Sequence, residues 1–225
     1  VTDSKQLTKA LPQLVPGSTC FRCDVCCRFP EADSFLRPYF TGQEIADAVA
    51  HGVPDSFFSD TSGSQVDLVK NPMDEGYLCP AFDSQSGRCG IYDVRPLDCQ
   101  LYPLALMWDA LGREVLLGWD SKCPFMRDAP SRAIREYGER VATSLTDETI
   151  VEAIVAHPRL IGRFQDDVIV LKALPHLTTR LLPERVDPQL RPLTLLDAPQ
   201  FAKALERAHV IGHHTPAAFA FPYHY

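Results

Sequence analysis

Four cysteines lie within the eight-residue segment CFRCDVCC, which runs from Cys20 to Cys27. Cys20, Cys23 and Cys26 are each separated by two residues. In a Cys-x-x-Cys turn both thiols face one centre, and backbone N–H groups offset the charge of the thiolates. Two such steps in succession therefore predict three sulfur ligands on one metal centre.

The other cysteines follow downstream, and none occurs after residue 123. Cys79 and Cys123 each precede a proline. Three local cysteines and a remote Cys-Pro form the ligand arrangement of bacterial ferredoxins. All eight cysteines are therefore predicted metal ligands: Cys20, Cys23, Cys26, Cys27, Cys79, Cys89, Cys99 and Cys123.

Cys26 and Cys27 are adjacent, and neighbouring side chains diverge from an extended or turn backbone. We therefore expect these two cysteines to serve different centres. Eight thiols, at four per tetrahedral zinc ion or per iron–sulfur cubane, fill two sites. One filled site with spare thiols is the alternative.

The identity of the metal is open between iron and zinc, because sites made only of thiolates suit both. The ferredoxin-like spacing favours an iron–sulfur cofactor, with [4Fe–4S] as the expected cluster and zinc as the alternative. Disulfides are disfavoured, since they replace a hydrophobic core in short secreted chains. This chain has 225 residues, of which 45% are hydrophobic, and these are ample for a core.

The order and surroundings of the cysteines resemble the CxxCxxCC family of putative zinc- or iron-chelating bacterial proteins. The resemblance rests on CFRCDVCC, YLCPAF, GRCGIYDVRPLDCQLYP and KCPF in that order, and it covers about residues 20 to 126. It implies a metal-binding module and leaves the metal and any reaction undefined. Some larger members are similar to flagellin lysine methylases that carry the same cysteine cluster.

Arg95 lies in the most specific of these segments, directly before Pro96. Its guanidinium is predicted to bind the cofactor by donating to a cluster sulfur or a thiolate, which offsets negative charge. The alternative is a surface arginine before a turn proline. Tyr92 and Tyr102 are expected to pack over the site and shield it.

The predicted fold class is α+β. A small irregular cysteine-rich metal module with short helices and a β-hairpin is expected over residues 1–128, and a helical and mixed segment over 129–225. Thr41 and Glu44 have the spacing of a capping box and predict a helix over residues 42–51. LALMWD and REVLLGW, on either side of ALG, predict the hairpin, and SQVDLVK is a candidate strand.

The second segment has helical periodicity in PSRAIREYGERVATSL and DETIVEAIVAHP, and DVIVLKAL predicts a strand. Four prolines from Pro175 to Pro192 predict a loop-rich stretch, and His213-His214 are assigned to a polar loop. RPLTLLDAPQFAKALERAH predicts a strand and then a helix capped by Asp197. This end of the chain resembles the opening of phosphatidylglycerol lysyltransferase-type domains, which implies the start of a further domain.

Charge and hydropathy exclude two classes of partner. The net charge is −7, with both signs interspersed, so no basic stripe is available for nucleic acid. No apolar run reaches the ~20 residues of a membrane span, and no signal core opens the chain, so we expect a cytoplasmic protein. The start at Val1 and the aromatic end predict a fragment or a processed form.

The leading hypothesis is therefore a metal-binding, iron–sulfur protein that acts with a redox or protein partner in electron transfer, metal handling or support of an attached domain. A cluster-dependent enzyme for lysine methylation or aminoacyl transfer is an alternative, and it requires a cavity with convergent polar groups beside the cysteines. A structural zinc-binding interaction protein is another, and it needs only closed four-thiolate sites. No phosphate loop, nucleophile elbow or dinucleotide motif identifies catalytic residues.

Overall fold

The computed structural model describes residues 11–20 and 22–182, which combine short helices with small antiparallel sheets. The predicted α+β class is confirmed. The described residues belong to one compact unit, and the predicted division at residue 128 stays a prediction. The helices are α1 Gly17–Cys20, α2 Gly42–Ala50, α3 Leu97–Leu101, α4 Pro124–Asp128, α5 Ser131–Ser144, α6 Glu148–Ala156 and α7 Pro175–Leu181. The strands are β1 Arg28–Phe29, β2 Tyr39–Thr41, β3 Gly63–Gln65, β4 Val69–Lys70, β5 Tyr77–Leu78, β6 Phe82–Asp83, β7 Arg88–Cys89, β8 Leu104–Trp108, β9 Val115–Asp120 and β10 Val168–Ala173.

The cysteine-rich half is built from very short strands. β5 lies between β1 and β4, while β2 pairs with β3 and β6 pairs with β7, all antiparallel. One apolar cluster holds Phe29 of β1 and Phe40 of β2 together with Ile45 of α2 and Val66, which follows β3. Strands of two or three residues supply little pairing energy, so this cluster and the contacts of the cysteine segments must hold the half together.

The predicted helix after Thr41 is confirmed as α2, with the capping box in place. Glu44 also joins two elements. Its Oε2 accepts the N–H of Thr41 at 2.8 Å, and its Oε1 accepts the N–H of Leu97 at 2.7 Å. Since Leu97 begins α3, this one carboxylate caps α2 and ties the helix that carries Cys99 to it.

The predicted hairpin is confirmed as β8 and β9, in register from Leu104↔Trp119 to Trp108↔Val115. Gly112 supplies the positive φ of 64° that its turn requires. β10 pairs with the other edge of β9, so the sheet order is β10-β9-β8. Leu104, Leu106 and Leu117 of this sheet join the larger apolar core, and Met107, Leu116 and Val168 form a small apolar cluster of their own.

The helical predictions after Pro130 are confirmed as α5 and α6, and the strand prediction as β10. α5 packs on β9 and β10, while α7 packs on β9 and α6. Their apolar faces share the larger core with α3 and β8. None of the described helices, the longest having 14 residues, is both long and apolar enough to cross a membrane.

Asp147 is the N-cap of α6, and its Oδ1 accepts the N–H of Thr149 at 2.9 Å. Asp147→Ala is expected to lower the free energy of unfolding by about 1 kcal/mol, because an N–H of the first turn loses its acceptor. Asp147→Asn keeps the acceptor and should cost only a few tenths of a kcal/mol. Denaturant titration of both variants checks the difference, and equal losses would contradict the capping role.

Two local predictions are corrected. SQVDLVK is not one strand: it ends β3 and supplies β4, with a break between them, because its ends pair with different partners. Pro175 does not open a loop but begins α7, where a first-turn proline needs no hydrogen-bond partner for its nitrogen. The predicted elements after residue 182, including the Asp197 cap and His213-His214, lie outside the described residues.

Candidate metal centre

Consecutive tight turns position the first four cysteines. α1 ends at Cys20, whose carbonyl oxygen accepts the N–H of Cys23 at 3.1 Å. Cys26 and Cys27 lie in the next turn, where the N–H of Cys27 donates to the carbonyl oxygen of Asp24 at 2.9 Å. The backbone therefore reverses within each Cys-x-x-Cys step, as the spacing predicts.

Four different elements bring the downstream cysteines to this segment. The N–H of Cys79 donates to the carbonyl oxygen of Cys27 at 2.9 Å, which extends the β1–β5 pairing by one bond. Cys89 ends β7, Cys99 lies on α3, and Cys123 is the N-cap of α4. The site therefore forms only when segments that are distant in the sequence pack together.

Backbone N–H groups point at three of the downstream sulfurs. The N–H two residues further along donates to the sulfur of Cys79, and the same arrangement occurs at Cys89. The sulfur of Cys123 receives two N–H groups from the first turn of α4. Such donors stabilise thiolates, so these three positions are prepared for the charge that metal ligands carry.

The thiols gather around two adjoining cavities. The first, of about 140 Å³, is here called the seven-cysteine cavity, and the second, of about 280 Å³, the Cys123 cavity. The seven-cysteine cavity is lined by Cys20, Cys23, Cys26, Cys27, Cys79, Cys89 and Cys99. The Cys123 cavity is lined by Cys20, Cys23, Cys26 and Cys123. All eight predicted ligands thus line one cavity or both.

Electrostatic contacts between the thiols are centred on Cys26. Cys26 contributes to raising the pKa values of five thiols, namely Cys20, Cys27, Cys79, Cys89 and Cys99. Cys123 is influenced instead by Cys20 and Cys23. Cys26 therefore lies between Cys79, Cys89 and Cys99 on one side and the thiols nearest to Cys123 on the other.

Cys26 and Cys27 do not point fully apart, contrary to the expectation from their adjacency. The tight turn brings the thiols together, and Cys27 donates a hydrogen bond to Cys26. This bond lowers the pKa of Cys26 and raises that of Cys27. Of this pair, Cys26 lines both cavities, whereas Cys27 lines the seven-cysteine cavity alone.

All eight cysteines are free thiols, with no disulfide among them. Among the described residues, no three Cys, His, Asp or Glu side chains are close enough together to hold a single metal ion. Burial raises the pKa of five of the thiols, and that of Cys79 reaches about 12. Those five are Cys20, Cys79, Cys89, Cys99 and Cys123. Ionising so many buried thiols together requires a compensating cation, so the donor set fits a thiolate-bound inorganic centre.

Arg95 lines the seven-cysteine cavity. Its guanidinium lies 3.9 Å from the centre of the Tyr92 ring and donates to the Tyr92 carbonyl oxygen and to Gln13, both at 2.9 Å. Its charge opposes the effect of burial on the pKa of Cys20 and of Cys89. A binding role toward a cofactor stays a prediction, which this positive charge at the cavity supports.

Tyr102 lines both cavities, and its hydroxyl is buried without a hydrogen-bond partner in the described part of the chain. Burial raises the pKa of this phenol, and the nearby Asp120 and Cys123 add to the effect. A buried hydroxyl without a hydrogen-bond partner costs free energy. Because Tyr102 lies at the boundary of the two cavities, its hydroxyl is placed to donate to a group bound there.

Some residues at the site were not predicted from the sequence. Gln13 supports Arg95, and Glu44 fixes α3, although each is distant in sequence from the cysteine it serves. Asp98 lines the seven-cysteine cavity and accepts the N–H of Tyr39 at 2.9 Å, while burial raises its pKa to about 6. Only its position next to Cys99 could have marked Asp98 in the sequence.

The comparison with protein families agrees with the cysteine pattern. Residues 19–124 match the family model described as CxxCxxCC, a putative zinc- or iron-chelating domain. No curated protein and no solved structure shows significant similarity to the chain. The match covers all eight cysteines, from Cys20 to Cys123. The segment 19–124 therefore belongs to the CxxCxxCC family of putative zinc- or iron-chelating domains.

Proposed function

We propose that the eight cysteines hold two iron–sulfur centres, each of the [4Fe–4S] type, and that the protein acts in electron transfer, metal handling or support of an attached domain. The first centre uses Cys20, Cys23, Cys26 and Cys123. The second uses Cys27, Cys79, Cys89 and Cys99. The observation that carries this proposal is that all eight thiols line two adjoining cavities, with Cys123 in one only and Cys27, Cys79, Cys89 and Cys99 in the other only.

The spacing of the thiols supports a polyatomic cluster rather than a single ion. In tetrahedral zinc sites the Zn–S distance is about 2.3 Å, so the four sulfurs are nearly in contact. Among the described residues no such close group occurs, and cavities of about 140 and 280 Å³ lie between the thiols instead. A cubane fills such a space and holds its ligands further apart.

Exposure supports electron transfer over a purely structural role. Each proposed centre has one buried ligand, Cys123 in the first and Cys79 in the second, and Cys26 of the first centre is exposed. The first centre would thus reach the surface at Cys26, where a partner can approach. A zinc centre that only stabilises the fold has no need of such an exposed ligand.

Metal analysis of anaerobically purified chain tests the proposal. Two cubanes predict about eight iron and eight sulfide per chain, with visible charge-transfer absorption. Colourless protein with about two zinc ions per chain would reject the iron proposal in favour of the zinc-binding interaction protein. Protein without stoichiometric metal of either kind, even after reconstitution, would reject both.

Tyr102→Phe is expected to have opposite effects in the metal-free and cluster-loaded protein. Without metal, removing an unpartnered buried hydroxyl should leave the free energy of unfolding unchanged or raise it by up to about 1 kcal/mol. With clusters bound, the loss of a donor to a sulfur should lower the reduction potential. Thermal unfolding and redox titration measure the two effects, and an unchanged potential would contradict a hydrogen bond to the cluster.

A cluster-dependent group-transfer enzyme is the second candidate, and a separate observation favours it. A third cavity opens beside Cys26, as a substrate of such an enzyme would require. Transfer of a labelled methyl or aminoacyl group to a lysine-containing protein, by loaded but not by metal-free chain, would support this candidate. Failure of the transfer leaves the electron-transfer proposal in place.

A further inference from the structure

We propose that this third cavity, here called the basic cavity, binds a small organic anion with an apolar body at the edge of the first metal centre. Its volume is about 210 Å³. The proposal that the cavity binds an anion depends on the lining of the cavity alone. The proposal that the anion lies beside a metal rests on the proposed function.

The basic cavity lies between the cysteine segment and the three-stranded sheet. Cys26 lines it from one side, and Leu104 and Leu106 of β8 line it from the other. Cys26 is the single cysteine among its described lining residues. A bound anion would therefore contact Cys26, which is the most exposed cysteine of the first centre. Tyr102 lines this cavity as well as the two cysteine cavities.

The charge of the lining is opposite to that of the chain. Four cations and two carboxylates surround a cavity in a protein whose net charge is −7. The cations are Arg28, Arg37, Lys122 and Arg159, and the carboxylates are Asp98 and Asp120. Three of these cations are paired with aspartates, so Arg159 supplies the positive charge that would attract an anion into the cleft.

Arg159 is the cation most available to a ligand. Arg28, Arg37 and Lys122 each make an ion pair with an aspartate, and for Arg28 and Arg37 these aspartates lie outside the lining. Arg159 makes no ion pair within 4 Å with any residue that the structure describes, and its charge acts at longer range on Asp60, whose pKa it helps to lower. Its guanidinium can offer a planar pair of donors to a carboxylate or a phosphate group.

The apolar wall and the volume limit the rest of the ligand. Leu104, Leu106, Leu160 and Val168 contribute apolar surface to the cavity. An apolar cavity of about 150 Å³ accommodates benzene, so about 210 Å³ accommodates a ring of that size with one charged group. The cavity therefore fits a small carboxylate or phosphate ester.

Benzoate is a suitable probe, since it combines one ring with one carboxylate. Ligand-observed NMR on the full chain should show saturable binding of benzoate, and much weaker binding of neutral benzamide. Arg159→Gln should raise the dissociation constant for benzoate about fivefold, and Arg159→Glu should raise it further, because the site then repels the carboxylate. Arg132→Gln removes an exposed arginine of α5 outside the cavity and should leave it unchanged.

Gln165→Trp provides a second, independent variant, since it places a bulky ring at the lining without removing a charge. It should abolish benzoate binding while near-ultraviolet circular dichroism shows that the fold is retained. Equal affinity in wild type, Arg159→Gln and Gln165→Trp, or no binding to the wild type, would overturn the proposal.

Metal-free and metal-loaded chain distinguish the two proposals. Benzoate binding by chain that takes up no metal would support the anion site and reject the proposed metal centres. Metal-loaded chain that fails to bind benzoate would reject the anion site alone. In loaded chain, benzoate should shift the visible absorption of the cluster in wild type and not in Gln165→Trp, and an absorption unchanged at saturation would reject its placement beside Cys26.

Discussion

Replacing Cys26 by serine is expected to remove about half of the bound metal, and replacing Cys27 by serine is expected to remove the other half. The two residues are adjacent, and their thiols share a hydrogen bond. Even so, Cys26 lines both cysteine cavities, whereas Cys27 lines only the seven-cysteine cavity. If each cysteine serves its own centre, neighbouring substitutions must deplete different metal sites.

The physical reason is the loss of one thiolate from a centre that needs four. A serine oxygen is a harder ligand than a thiolate and is too short to replace it without movement of the turn. The other centre keeps its full ligand set, held by elements that the substitution does not touch. Cys123→Ser should therefore reproduce the depletion caused by Cys26→Ser, and Cys99→Ser that caused by Cys27→Ser.

Iron, sulfide and zinc counts on each purified variant measure the depletion, and electron paramagnetic resonance of the reduced proteins identifies which centre remains. The double substitution of Cys26 and Cys27 should remove nearly all metal. Complete loss in either single variant would show one shared centre and contradict the division. Full retention in Cys26→Ser would remove Cys26 from the ligands.

The parts of the fold that depend on neighbouring residues were predictable from the sequence. The capping box of Thr41 and Glu44, the turn at Gly112 and the helical periodicity after Pro130 each involve residues within a few positions of one another. The turns around Cys20 to Cys27 belong to the same class. In each case the local hydrogen bonds or the apolar face already define the element.

Contacts between distant segments were not predictable in the same way. Glu44 bonds to Leu97 across 53 positions, and Gln13 reaches Arg95 across 82. The basic cavity draws its walls from several segments between Val25 and Val168, so no local pattern marks it. The hydrogen bond that Cys27 donates to Cys26 was not predicted for a related reason, since the alternation of side chains fails in a tight turn.

Gly76→Ala is expected to destabilise the protein by about 3 kcal/mol and to deplete the second metal centre. Gly76 has a φ of 86°, where an L side chain is strained, and a Cβ at this position would lie 2.5 Å from the carbonyl oxygen of Phe29. That contact is with backbone and cannot be relieved by a rotamer change. β1 or β5 must therefore move.

Movement of β1 or β5 would displace the cysteines next to these strands. β1 follows Cys27, β5 precedes Cys79, and the N–H of Cys79 donates to the carbonyl oxygen of Cys27 at 2.9 Å. Separating the strands should lengthen this bond and displace two thiols of the second centre. The centre that uses Cys123 has its ligands on other elements and should keep its metal.

Gly52→Ala is the matched control, because Gly52 has a similar φ of 98° but a Cβ there would meet no atom within 4 Å. It should lower the free energy of unfolding by only about 1 kcal/mol, from backbone strain, and leave the metal content unchanged. Denaturant titration and metal counts on both variants separate strain from collision. Equal destabilisation of the two variants, or metal loss in both, would mean that the β1–β5 contact does not control the second centre. Metal loss in Gly76→Ala alone would show that the second centre depends on this strand pair.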